Sequence, residues 1–140
     1  MPDMPASHRD LLERSEIVTL ATIGPDGFPQ VTAVWFLAED DGTVKLSLNT
    51  ARQKTRNLQH HPDATLFFVD PANPYRTLEI RAQANVSPDP DYAFADQVGA
   101  KYGGVNLKEN DRPGESRVVV TFTPVTINTF GGPAGATVSA

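Results

Sequence analysis

Leu78-Glu79-Ile80-Arg81-Ala82-Gln83-Ala84-Asn85-Val86 alternates apolar and polar residues more cleanly than any other stretch of the sequence. Successive side chains of a β-strand point to opposite faces, so this pattern predicts a long strand with one wet face. Residues 44–49 show the same alternation over a shorter length, with valine and leucine at every second position. Both segments therefore predict half-buried strands of one sheet.

Turn residues separate the other apolar runs. Gly24-Pro25-Asp26-Gly27 lies between two β-branched runs and predicts a β-hairpin. Glu39-Asp40-Asp41-Gly42 predicts the next turn, so the strand after it is expected to complete a three-stranded meander. Besides 78–86, the predicted strands are residues 17–23, 29–37, 44–49, 64–69 and 117–122, the last resuming after Pro124 through residue 130.

Helices are predicted at residues 7–15, 51–60 and 88–102. Thr50 followed by Gln53 has the capping-box pattern, so the second helix is expected to begin at Ala51. Residues 70–74 are too rich in proline for a strand and predict a loop with room for a functional role. Strands joined by tight turns predict a mainly β (α+β) fold, a six-stranded antiparallel β-barrel with short peripheral helices.

Length and composition limit the possible functions. The 140 residues fit a single domain, 1–140, and the net charge of −5 with dispersed cations argues against nucleic-acid binding. The sequence has no cysteine, which excludes disulfides and cysteine-based zinc sites. No apolar run approaches the roughly 20 residues that span a bilayer. We therefore expect a cytoplasmic protein without membrane contact.

Three cations stand close together where a strand gives way to a helix: Arg52, Lys54 and Arg56. Cations in the first turn of a helix oppose its dipole, whereas the unsatisfied amides there attract an anion. Arg52 and Lys54 would add a fork of donors and a point charge to a phosphate site. The alternative interpretation is a set of solvated surface cations.

The sequence resembles the flavin-binding split β-barrels of the pyridoxamine 5′-phosphate oxidase superfamily, most closely the actinobacterial branch that uses the deazaflavin coenzyme F420. The resemblance lies in Asp26-Gly27-Phe28-Pro29-Gln30-Val31-Thr32, in Arg52-Gln53-Lys54-Thr55-Arg56-Asn57-Leu58, and in Asn73-Pro74-Tyr75-Arg76 before Leu78-Glu79-Ile80-Arg81. It implies a split barrel that forms a homodimer with a cofactor in the groove between the chains. Ala33-Val34-Trp35 and Ala82 depart from the family pattern, which leaves the substrate pocket open.

The resemblance implies an oxidoreductase that passes a hydride between F420 and an electron-poor small molecule of the enone or quinone type. An FMN-binding oxidase-like protein and a non-catalytic F420 carrier are the alternatives. No catalytic residue is assigned, because the cofactor would carry the chemistry. The residues implied to contact the cofactor are Gln30, Val31, Thr32, Ala33, Trp35, Ser47, Asn49, Thr50, Arg52, Lys54, Thr55, Asn73, Tyr75 and Arg76.

The sequence offers no convincing metal, dinucleotide or hydrolase site. His60 and His61 lie about 100° apart on a helix and have no evident third ligand, so no metal site is predicted. Gly103-Gly104 lacks the spacing of a dinucleotide-binding loop and predicts a helix stop instead. No Gly-x-Ser-x-Gly motif is present, which argues against a hydrolase.

Overall fold

The structure is a computed structural model that describes residues 1–135. Residues 136–140 of the predicted domain lie outside the described range. Within it the fold is mainly antiparallel β, as predicted. The strands are β1 (Val18–Ile23), β2 (Pro29–Val34), β3 (Leu37–Ala38), β4 (Val44–Asn49), β5 (Asp63–Asp70), β6 (Asn73–Pro88) and β7 (Arg117–Phe130); the helices are α1 (Leu11–Arg14), α2 (Gln53–His60), α3 (Ala93–Lys101) and the 3₁₀ helix Leu107–Asn110.

The strands form one sheet in the order β2-β1-β5-β6-β7-β4-β3. Its two edge strands, β2 and β3, are separated in sequence only by Trp35 and Phe36. The sheet must therefore curl until its edges meet, which gives a barrel that is split between β2 and β4. Alternate residues of the strands fill the interior together with Phe36; the fully buried strand residues include Val18, Leu20, Leu46, Leu66, Phe68, Leu78, Ile80, Val120 and Phe122.

Two details of the predicted sheet are wrong. The described residues form seven strands instead of six, because the run predicted at 29–37 breaks at Trp35 and Phe36. The predicted meander does not form either, since β4 pairs with β3 and β7 and makes no ladder with β2. The predicted hairpin is confirmed, with β1 and β2 antiparallel from Val18 opposite Val34 to Ile23 opposite Pro29.

The loop predicted at residues 70–74 is a tight hairpin turn. Asp70 ends β5 and Asn73 begins β6, and the Asp70 carboxylate accepts the amide of Ala72 at 2.8 Å. An aspartate that closes such a turn allows a proline-rich sequence to join two strands directly. β6 then runs beside β7 over most of its length, with a bulge between Arg81 and Ala82 that accommodates Pro124.

The helices are shorter than predicted. α1 starts at Leu11 rather than at residue 7, although Leu11 and Leu12 are buried as expected. α3 begins at Ala93 rather than at residue 88 and ends before Gly103 and Gly104, which have positive φ and confirm the predicted helix stop. No helix in residues 1–135 is long and apolar enough to cross a membrane.

The predicted capping box of α2 is wrong. The helix begins at Gln53, with Arg52 in the N-cap position and no side-chain hydrogen bond to the first turn. The Thr50 hydroxyl hydrogen-bonds instead with Ser116, its oxygen 3.2 Å from the carbonyl and 3.0 Å from the hydroxyl oxygen. Ser116, directly before β7, thus binds the Thr50 hydroxyl that was expected to cap α2.

Candidate cofactor-binding cleft

A cleft of about 410 Å³ lies at the split of the barrel, where β2 ends beside β4. α2 begins at one side of it, and α3 with the 3₁₀ helix borders another. Its volume is within the range of about 300–1,000 Å³ that small-molecule sites occupy. The lining residues are Ile17, Ala33, Val34, Trp35, Ser47, Leu48, Asn49, Arg52, Lys54, Val98, Leu107 and Arg117.

Arg52 and Lys54 bring two positive charges to this cleft at the start of α2. Within residues 1–135 neither side chain forms a salt bridge. Burial of the Lys54 ammonium, and then the nearby charge of Arg52, hold the pKa of Lys54 below its ordinary value. Both effects disfavour the charged form of Lys54, and an anion bound between the two side chains would stabilise that form.

Buried polar contacts fix the start of α2 against the sheet. The Thr55 hydroxyl donates to the carbonyl of Asn49 at 2.7 Å, and Thr55 is fully buried. The Asn57 amide donates to the hydroxyl of Thr22 at 3.0 Å and to the side-chain oxygen of Gln30 at 2.9 Å. The Thr55 amide also donates to the carbonyl of Arg52, at 3.2 Å, so the first turn of α2 is held in place beside the cleft by backbone and side-chain contacts together.

Asn49 organises the floor of the cleft. Its side-chain oxygen accepts the amide of Ala51 at 2.8 Å, and its side-chain nitrogen donates to Asp111 at 2.8 Å and Glu115 at 3.0 Å. The residue is buried and its amide group is satisfied on both sides. Asn49 therefore lines the cleft as a structural connection between β4, α2 and the segment before β7.

Asp111 is the centre of that connection. Its carboxylate accepts two hydrogen bonds from Arg117, at 2.9 and 3.0 Å, and one from Tyr92 at 2.7 Å. Burial alone would raise the pKa of Asp111, but the bonds from Arg117, Tyr92 and Asn49 lower it below its ordinary value. The charge of Arg117 is thereby neutralised within the chain, which leaves Arg52 and Lys54 as the cations available to a ligand.

Trp35 forms the aromatic part of the cleft. Its ring is stacked on that of Tyr102, with centroids 4.3 Å apart and planes 4° from parallel. It remains more than one third exposed. An exposed, oriented indole offers a flat ligand a stacking surface.

The structure brings six of the predicted residues together in the cleft lining: Ala33, Trp35, Ser47, Asn49, Arg52 and Lys54. Five others do not line it: Gln30, Val31 and Thr32 lie on β2, Thr55 lies on α2, and Thr50 lies in the turn between β4 and α2. The buried hydroxyl of Thr32 has no hydrogen-bond partner among the described residues. Contact of these residues with a cofactor stays a prediction.

Arg76 is a correction to the predicted site. Its guanidinium is buried and donates to Asp10, to Asp70 at 3.0 Å, and to the carbonyls of Ser7 and Gly132, the last at 2.8 Å. Hydrogen bonds to the two carboxylates raise its pKa. With its donors satisfied inside the chain, Arg76 has none left for a cofactor, and it holds the N-terminal segment to the barrel instead.

Asn73 and Tyr75, close to Arg76 in sequence, are not buried as Arg76 is. Asn73 accepts the amide of Tyr75 at 3.1 Å, and the Tyr75 ring is exposed. Neither residue lines the cleft of its own chain. Their contact with a cofactor held by a second chain stays a prediction.

Sequence reasoning missed residues that shape the cleft from distant parts of the chain. Arg117, Leu107 and Val98 line it, while Asp111 and Tyr102 hold the lining residues in place. These side chains lie in a polar loop, in or next to a helix, and at the start of a strand. No local sequence motif marks them. The pairing of β4 with β7, which brings Asn49 opposite Arg117, is the signal that would have identified Arg117.

Comparison with known proteins shows which solved structures share this fold. A solved structure named F420 reductase is 34% identical to the chain, covers 89% of it and 98% of its own length, and superposes with a TM-score of 0.78. A conserved hypothetical protein from Mycobacterium tuberculosis (24% identity, 91% and 85% covered, TM-score 0.73) shares the fold. HutZ, the heme storage protein from Vibrio cholerae, also shares the fold; it is 17% identical, covers 89% of this chain and 93% of its own length, and superposes with a TM-score of 0.70.

The chain therefore has the fold of flavin- and deazaflavin-type oxidoreductases. The pyridoxamine 5′-phosphate oxidase family model matches residues 4–131, and the chain belongs to that family. A comparison with curated proteins gives no match.

The cleft fits a phosphate-bearing flavin or deazaflavin. Arg52 and Lys54 would hold the phosphate, since they are free of carboxylate partners among the described residues and stand at a helix start. Trp35 would border the ring system, because its indole is exposed and oriented.

Proposed function

We propose that the protein is a coenzyme F420-dependent oxidoreductase acting on an electron-poor small molecule of the enone or quinone type. The observation that carries the proposal is the pair of unpartnered cations, Arg52 and Lys54, in a cleft with an exposed tryptophan. Its support from relatives is the 34% identity to an F420 reductase along 89% of the chain.

The chain's own residues would bind the cofactor, orient it and shield it from water. Arg52 and Lys54 bind the phosphate, and Trp35 with Ala33 limits the position of the ring. Val98 and Leu107 make one border of the cleft apolar and exclude water there. When bound, a reduced deazaflavin supplies a hydride, which the substrate's double bond takes up with a proton from water.

FMN is the second candidate cofactor, favoured by membership in the pyridoxamine 5′-phosphate oxidase family. Both cofactors carry a phosphate, so the cation pair serves either of them. Parallel titration of the cofactor-free protein with F420 and with FMN, followed by fluorescence, separates the two. We expect tighter binding of F420; tighter binding of FMN would replace the proposal with an FMN-dependent enzyme.

A non-catalytic F420 carrier is the third possibility. Consumption of reduced F420 is measured with a panel of enones and quinones, with protein-free cofactor as the control. Turnover above the control supports the enzyme, whereas binding without turnover across the panel supports the carrier.

We also propose a homodimer, formed through the outer face of the sheet. Exposed apolar side chains lie side by side there, since Thr19 of β1 is flanked by Ala33 of β2 and Phe67 of β5, and Val31 and Val69 extend the patch. Contiguous apolar surface of this kind is typical of protein interfaces. A second copy would bring its own sheet face close to the cleft through Ala33, which belongs to both surfaces.

Sedimentation equilibrium tests the dimer. We expect the wild-type mass to be that of two chains and Phe67→Glu to shift it to one chain, because a charge would be buried in the interface. Thr126→Glu, at an exposed position on β7, two strands away from Phe67 in the sheet, is a control. A monomeric wild type would overturn the dimer without affecting the proposed cofactor.

A cytoplasmic location in an actinobacterium stays a prediction from the sequence.

A further inference from the structure

The backbone of Phe36 lies where the barrel is split, and the end of α3 completes its hydrogen bonding. β2 ends before Phe36 and β3 begins after it, so no ladder pairs this residue. The Phe36 amide donates to the hydroxyl oxygen of Tyr102 at 3.1 Å, and the Phe36 carbonyl accepts from the Lys101 ammonium at 2.7 Å. The side chains of Lys101, the last residue of α3, and of Tyr102, its C-cap, therefore replace a neighbouring strand at this point.

Tyr102 has further contacts that fix its own position. Its hydroxyl donates to the carbonyl of Glu16, at 2.6 Å, just before β1. Its ring is stacked on Trp35 and lies 4.9 Å from the Lys101 ammonium. One tyrosine thus ties together α3, the chain before β1 and the junction of the two sheet edges.

Trp35 itself has space on the side of Tyr102. A second cavity, of about 440 Å³, is lined by Trp35, Tyr102 and Gly103 together with residues 13–17. Trp35 and Ile17 line both this cavity and the cofactor-binding cleft. The indole is thus not enclosed by close packing, and the parallel stack on Tyr102 is the contact that orients it.

We propose that Tyr102 is a positioning residue for cofactor binding, which holds the Trp35 indole as a rigid wall of the cleft. The proposal rests on the function proposed above, because it assigns the orientation of the surface that the cofactor ring would meet. Without the Tyr102 ring, the indole has room to turn toward the second cavity. The cleft then loses the flat surface that it presents to the ring while keeping its phosphate-binding cations.

Fluorescence tests this directly, because Trp35 is the only tryptophan in the sequence. Acrylamide quenching of the cofactor-free protein compares wild type, Tyr102→Leu and Tyr102→Phe. We expect Trp35 to become more accessible to acrylamide in Tyr102→Leu, since the stack is lost. Tyr102→Phe keeps the stacking ring without the hydroxyl and should stay close to wild type. Thermal unfolding confirms that both variants are folded.

The same variants are then titrated with F420 and FMN. We expect Tyr102→Leu to weaken binding by roughly tenfold and Tyr102→Phe to restore most of the affinity, because an aromatic stack contributes an effect of that order. Quenching of Trp35 fluorescence by the bound cofactor should fall in Tyr102→Leu in parallel.

The outcomes separate this proposal from the one on which it rests. If wild type binds a cofactor and Tyr102→Leu binds it equally well, the positioning role is wrong and the proposed function stands. If Trp35 accessibility is unchanged in Tyr102→Leu, Tyr102 does not orient the indole. If wild type binds neither cofactor, the proposed function fails, and the role of Tyr102 in cofactor binding fails with it.

Discussion

Arg52 and Arg76 were both predicted to contact the cofactor, and the structure gives them opposite environments. Arg76 is almost completely buried and faces two carboxylates, Asp10 and Asp70. Arg52 is exposed at the start of α2 and has no carboxylate within salt-bridge distance in residues 1–135. The same side chain is thus a structural tie at one site and an available charge at the other.

The difference shows that partners, not residue type, decide what an arginine does. A buried guanidinium is tolerated only when its donors are satisfied, and then it has nothing left for a ligand. A cation left unpaired at a helix start is unfavourable for the fold by a small amount, and a ligand anion reverses the sign. Arg76 should therefore matter for stability and Arg52 for binding.

Among the variants that test this contrast, replacement of Arg76 should have the largest effect on the free energy of unfolding. Arg76→Met leaves the buried Asp70 with only the more distant Arg14, at 3.7 Å, as a cationic partner, and breaking a buried ion pair costs about 3–5 kcal/mol. The free energy of unfolding, measured by urea denaturation, should fall by that amount. The cofactor affinity of the protein that remains folded should not change.

Arg81→Met is the matched control for this variant. Arg81 lies on the same strand, but its side chain is mostly exposed and within residues 1–135 pairs with Glu79 alone. Surface pairs of this kind contribute about 0–1 kcal/mol. Equal losses for the two variants would contradict the structural role of Arg76.

The carboxylates around Arg76 make stability depend on pH. Hydrogen bonds from Arg76 lower the pKa of Asp10; burial opposes a low pKa at Asp70, but the bonds from Ala72 and Arg76 prevail. A carboxylate with a lowered pKa stabilises the fold above its ordinary pKa of about 3.9, and this contribution disappears as the pH falls through the folded pKa.

We therefore expect the urea midpoint of the wild type to fall as the pH is lowered below about 4. In Arg76→Met the same acid titration should have a shallower slope, because Asp10 and Asp70 lose the hydrogen bonds from Arg76 that lower their pKa and keep only the weaker influence of Arg14 and, at Asp70, the Ala72 amide. The pH series is run at constant ionic strength. Identical slopes in the two proteins would show that other carboxylates dominate the acid transition.

Lys54→Ala tests the other side of the comparison. Truncation of a charge-assisted contact costs about 1.5–3 kcal/mol of binding, so cofactor affinity should fall by roughly tenfold to a hundredfold. The free energy of unfolding of the cofactor-free protein should not decrease, since burial and Arg52 already disfavour the Lys54 charge. Lys45→Ala, whose side chain pairs with Glu39, is a control of similar size.

Local patterns predicted much of the fold, and contacts between distant residues account for what they missed. Alternation at 78–86 and the turn after Ile23 are local signals, and the strand and hairpin that they predicted are confirmed. The capping box failed because the hydroxyl of Thr50 finds Ser116, 66 residues away. A sequence pattern does not contain a partner that only the closed sheet brings near.

The candidate site divides in the same way. Arg52 and Lys54 are neighbours in sequence, and the structure places both in the cleft lining. Asp111 escaped prediction because its partner Asn49 is 62 residues away. Arg76 was misassigned because one of its two carboxylate partners, Asp10, is 66 residues away, near the N-terminus, although the other, Asp70, is only six residues away.

Replacement of Arg52 should have the smallest effect on stability and the opposite sign to that of Arg76. Arg52→Ala removes a cation that opposes the α2 dipole and repels Lys54, so the cofactor-free protein should become more stable by about 0.3–0.5 kcal/mol at low ionic strength. Attraction between Arg52 and Glu115, which contributes to the lowered pKa of Glu115, reduces this gain.

Arg52→Lys keeps the charge and is the matched control, so its free energy of unfolding should stay at the wild-type value. Salt should remove the difference between Arg52→Ala and wild type, because the charge is exposed and screened. Cofactor affinity should nevertheless fall in Arg52→Ala. A loss of stability comparable to that of Arg76→Met would mean that Arg52, like Arg76, is a structural residue, and the contrast between the two arginines would not hold.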